Sequence, residues 1–117
     1  MESIRYSHTN LIARDWRRLA EFYVGLFGCV PVSSERDHQG LKFEALTAMK
    51  GARAKGRHLR LPGFGENGPT LEIFEYVNER APEVKKGIAT PGFAHLAFEV
   101  PDVATKRAEV LAAGGKD

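Results

Sequence analysis

The chain has 117 residues, 43% hydrophobic and 27% charged, the balance of one small globular domain rather than of a disordered segment. A formal net charge of +2 is too mild to predict a nucleic-acid partner, and no apolar run approaches the ~20 residues of a membrane span. One cysteine, Cys29, leaves no internal disulfide, and an opening Met-Glu-Ser-Ile-Arg without an apolar block predicts a cytoplasmic chain rather than a secreted one.

Residues 4–13 (IRYSHTNLIA) carry β-branched and aromatic side chains at both ends with no Gly or Pro, which predicts a strand. Asp15 then stands as an N-cap. Trp16, Leu19, Ala20, Tyr23, Leu26 and Phe27 recur at helical spacing, and Gly28 sits where a terminating glycine belongs. Residues 29–35 suit a short strand, with Pro31 favouring an edge. Residues 36–40 (RDHQG) read as a polar turn. Residues 41–49 fit a short helix or a strand, with composition on the side of helix.

A strand is expected over RAKGRHLRLPG, ending at Pro62-Gly63, and FGENGP is a turn. TLEIFEY, residues 70–76, reads as a strand, followed by a polar linker to Pro91-Gly92. FAHLAFEV, residues 93–100, is predicted as another strand. Pro101-Asp102 opens a second helix through Ala113, stopped by Gly114-Gly115.

One offset of 87 residues relates His8 to His95, Asp15 to Asp102 and Gly28 to Gly115. A histidine, a capping aspartate and a terminating glycine coinciding at one offset indicate a duplicated strand–helix module. The first copy continues through residues 29–76, with room for three strands. The second stops two residues after Gly115. It therefore lacks the segment that would supply its remaining strands. Either a neighbouring chain completes the sheet or the sequence is a shortened form of a longer one.

Residues two apart on a strand share a face. Glu72 lies with Thr70, Phe74 and Tyr76, opposite Leu71, Ile73 and Glu75. His95 lies with Phe93, Ala97 and Glu99, opposite a purely apolar face that should pack under the helix. His8 falls beside Tyr6 and Asn10. Two imidazoles and one carboxylate from three strands make a donor set for one divalent metal: Zn, Ni, Co, Mn or Fe. His38 and His58 have no support from the repeat. The basic stretch Lys50, Arg53, Lys55, Arg57 and Arg60 is either a solvated face or a contact for an anionic substrate.

The segments SHTNLIARDWRRLAEFYVGLFG, GPTLEIFEY and FAHLAFEVPD together resemble the vicinal oxygen chelate superfamily. It includes glyoxalase I, methylmalonyl-CoA epimerase, fosfomycin and bleomycin resistance proteins, and extradiol dioxygenases. The resemblance implies an α+β fold of paired βαβββ modules forming a half-open, barrel-like sheet. Here the second module is truncated after its helix. One glyoxalase-like domain would span 1–117, with module one over 1–80 and a partial module two over 90–117.

The resemblance also implies metal ligands at His8, Glu72 and His95, with Glu72 as the catalytic carboxylate. The fourth ligand of the family comes from a strand that this sequence does not contain. The implied chemistry is that of a lyase or isomerase working through a metal-stabilised enediolate. Its substrate would be a small oxygen-chelating molecule, such as an anionic thioester or thiol conjugate. A homodimer is expected from the open sheet edges of a duplicated module. The alternatives are a metal-free ligand-binding protein of the bleomycin-resistance kind and a ferrous extradiol dioxygenase, which uses two histidines and a carboxylate.

Overall fold

The computed structural model describes residues 3–78, 82 and 84–117. Parts of the linker expected after residue 76 lie outside them. The chain divides into two compact units, Met1–Glu79 and Arg80–Asp117. No described helix is long and apolar enough to cross a membrane.

Unit 1 is an α+β layer. Strand β1 (His8–Ile12) leads into helix α1 (Trp16–Phe27) and then β2 (Val30–Pro31). Next come β3 (Arg36–His38), α2 (Leu41–Thr47), β4 (Ala54–Arg60) and β5 (Thr70–Tyr76). The sheet order is β1-β5-β4-β2, with β3 also on β4, and the five described strands leave it open. β1 runs parallel to β5, which requires a crossover, and α1 is part of that crossover. β4 and β5 are antiparallel, with Leu59 opposite Leu71 and His58 opposite Glu72.

Alternation divides the two faces of this sheet. Leu59, Leu71 and Ile73 are almost fully buried, and Trp16 and Ala20 of α1 are buried as well. Each large side chain of this kind stabilises the fold by about 1.5–3 kcal/mol. The start of α1 is fixed from two sides. The Asp15 carboxylate accepts from the Arg18 N–H, and Glu75 on β5 accepts from the Trp16 N–H at 3.1 Å. Its end is fixed by Gly28, whose φ of 69° is open to glycine and strained for other residues. Gly56 is required for another reason. A Cβ there would fall within 3 Å of the Ile73 carbonyl and the Phe74 ring.

The expected turn at 36–40 is partly strand. Arg36–His38 pair with β4 as an edge, where a charged sequence is compatible with a ladder. β2 and β3 occupy two lengths of the same β4 edge. Between them the Ser33 hydroxyl accepts the His58 N–H in place of a backbone carbonyl. The first strand is also shorter than the expected 4–13, because only His8–Ile12 has β5 opposite it.

Unit 2 holds helix α3 (Val103–Ala112). The Asp102 carboxylate accepts the Thr105 N–H at 3.1 Å, as Asp15 does with Arg18 at the same distance. The Gly115 N–H reaches the Val110 carbonyl just as the Gly28 N–H reaches that of Tyr23. The N-cap of the repeat is therefore reproduced, while its end shares this bond but is closed differently, since the left-handed residue is Gly28 in α1 and Gly114, not Gly115, after α3. The strand half is not reproduced, because residues 93–100 form no strand. A strand exists through a partner's N–H and C=O groups, and the described part of unit 2 contains no other strand to provide them.

Candidate functional site

The face of the unit 1 sheet opposite α1 carries two adjoining clusters. The first is polar and centres on Glu72 of β5, whose side chain is 15% exposed. The Asn10 amide of β1 donates to Glu72 Oε1 at 2.9 Å. His58 Nε2 of β4 lies 2.8 Å from Glu72 Oε2. His8 Nε2 of β1 lies 3.6 Å from Glu72 Oε1. The two imidazole rings meet edge to face at 5.2 Å.

Burial pushes the His58 imidazolium below its ordinary range. Glu72 opposes this shift, while His8 and Arg36 reinforce it. In the neutral ring the tautomer is then determined. Glu72 can only accept, so Nε2 carries the proton and Nδ1 accepts from the Thr70 hydroxyl 2.9 Å away. Thr70, His58 and Asn10 thus hold one carboxylate in one orientation, leaving its Oε1 side turned towards His8.

The second cluster is aromatic. Phe43 of α2 stacks on His38 at 5.5 Å and on Tyr76 at 6.1 Å, and His38 lies 5.4 Å from Phe74. It makes an apolar wall beside the polar group, as a small-molecule site requires.

Of the residues expected to bind metal, His8 and Glu72 are brought together. Two ligands sharing one tetrahedral cation at about 2.1 Å each stand roughly 3.4 Å apart, so the His8–Glu72 spacing of 3.6 Å fits such a pair. His95 belongs to unit 2, in the exposed segment without a ladder. Among the described residues no three His, Cys, Asp or Glu side chains form a metal-holding group.

Sequence reasoning passed over His58. A signal was available in the pairing of Leu59 with Leu71, the two aliphatic residues that both need burial. That register places His58 opposite Glu72. The basic stretch does not act as one patch. Arg53 forms a bidentate pair with Asp37, and Arg57 donates to the Ser33 carbonyl.

The model of the Glyoxalase/Bleomycin resistance protein/Dioxygenase superfamily matches residues 5–117. The chain belongs to this superfamily. Among solved structures it is similar to a glyoxalase family protein from Bacillus cereus, with a TM-score of 0.75 at 12% identity, covering 97% of this chain and 74% of that one. It is also similar to the protein SMU.1112c, with a TM-score of 0.56 at 25% identity, covering 97% of this chain and 77% of that one. A search of curated proteins returns no match. The family assignment agrees with the α+β fold and open sheet expected from the sequence.

Proposed function

We propose that this superfamily member is a metal-dependent lyase or isomerase of glyoxalase or epimerase type. Its substrate would be a small molecule presenting two neighbouring oxygens. The observation that supports this reading is the oriented Glu72 carboxylate, with His8 aimed at the same oxygen. His8 and Glu72 would hold one divalent metal. When bound, such a metal supplies Lewis-acid stabilisation of an enediolate.

The chain's own residues account for the remaining roles. Glu72 is the group that would take a carbon-bound proton, since it is the carboxylate at the centre of the polar cluster. His58 and Asn10 keep it from rotating, so that its reacting oxygen is in place before substrate arrives. The aromatic wall of Phe43, Phe74 and Tyr76 would exclude water from one side of the reacting carbon. The protein would act as a homodimer.

Metal analysis of protein purified without chelator tests this. About one equivalent of a transition metal is expected, lost in His8→Ala and Glu72→Gln, together with hemithioacetal isomerisation. Metal that persists in both variants would overturn the assignment.

One observation favours a second reading, a metal-free ligand-binding protein. Both oxygens of Glu72 already have hydrogen-bond partners from the protein. Full ligand binding by protein stripped of metal would select this reading.

A further inference from the structure

A cavity of about 540 Å³ opens beside the polar cluster, bounded by the segment before β1, the β2–β3 connection and the start of β5. Arg5 and Arg36 contribute to its lining, with Tyr6, Ser7, Ser33 and Thr70. His58 contributes as well, so the cavity is continuous with the group that holds Glu72. Among the described residues no carboxylate lines it. Glu35, next to Arg36 in sequence, is held away by both guanidinium nitrogens of Arg17, at 2.6 and 2.7 Å. Arg5 uses one nitrogen on the Asn67 carbonyl. That bond anchors the side chain at the rim without neutralising its charge.

Two guanidiniums around one water-accessible space, with no acidic residue in its described lining, suit an oxyanion. We propose that Arg5 and Arg36 bind an anionic group of the substrate, a carboxylate or a phosphate, while its reacting oxygens lie at Glu72. The proposal rests on the reading of the Glu72 face as the substrate face. It also moves the anion contact away from the basic stretch 53–60, where Arg53 is already neutralised by Asp37.

The test is an amide NMR titration of the full chain at low ionic strength, once with inorganic phosphate and once with succinate. Saturable shifts are expected at residues 5–7, 33–36 and 67–70 with at least one probe. Response to phosphate alone identifies a phosphate ester as the source, and response to succinate alone identifies a carboxylate. The double variant Arg5→Gln/Arg36→Gln should weaken binding about tenfold or more. Arg36→Lys should retain most of it, and Arg53→Gln should leave it unchanged.

Unsaturable shifts with both probes would overturn the subsite. So would a double variant that binds as the parent does, or an equal loss in Arg53→Gln. Zinc titration of the same samples reads the metal proposal separately. Loss of zinc binding with phosphate binding intact would remove that proposal alone, and the converse would remove the subsite alone.

Discussion

The two copies of the repeat share a histidine, a capping aspartate and a terminating glycine, yet they differ in structure. In the first, His8 stands on a strand paired residue for residue with β5. In the second, the corresponding segment has no ladder and His95 is exposed, although α3 starts on the same N-cap bond as α1. A helix closes its hydrogen bonds within its own residues, so its signals act locally. A strand borrows its bonds from elsewhere, so the same pattern yields a strand only where a partner exists.

The largest effect that sharpens this contrast is a core truncation. Ile73→Ala in the laddered unit should cost about 2–5 kcal/mol in chemical denaturation. Leu96→Ala, at a side chain 38% exposed in the unladdered segment, should cost well under ~1 kcal/mol. Equal losses would break the comparison. Hydrogen exchange gives the same contrast by residue, with protected amides at Leu11 and Ile73 and fast exchange at Leu96 and Ala97.

Next in size is the residue of the first copy that supports its carboxylate. His58→Ala should lower metal affinity about 10–100-fold by freeing Glu72 to rotate, measured by competition with a chelating dye. His8→Ala should abolish binding. A His58→Ala protein with parental affinity would show that the carboxylate needs no support from β4.

The N-caps should behave alike in both copies. Asp15→Ala should cost about 1 kcal/mol of stability, read from the urea midpoint. In the second copy the Thr105 N–H holds the Asp102 carboxyl below its ordinary range. A depressed carboxyl stabilises the helix above its unfolded pKa, about 3.9. That contribution is lost as pH falls through the folded value. The Thr105 amide shift should therefore move only below the ordinary carboxylate range. A midpoint at or above that range would contradict the capping bond.

How much of the molecule was legible beforehand follows the same division. α1 and its two ends could be read from Asp15, the apolar spacing and Gly28, because every bond involved is local. β5 was legible because Leu71 and Ile73 alternate with Glu72. β3 was not, since Arg36-Asp37-His38 carries no apolar pattern and becomes a strand only beside β4. The site was half legible. His8 and Glu72 could be placed on one face by alternation, whereas His58 reaches Glu72 through a pairing register that no short stretch of sequence contains.

Pro31, on β2 at one border of the described sheet, has a consequence for how the sheet can be extended. With Pro31 lacking an N–H, that border of the sheet offers an incoming strand a broken row of donors. β1, at the other border, is an uninterrupted run of five residues. A sheet with two receptive borders can polymerise into a fibre, and one unreceptive border blocks that route. Pro31 therefore leaves the β2 border the less receptive of the two to an added strand.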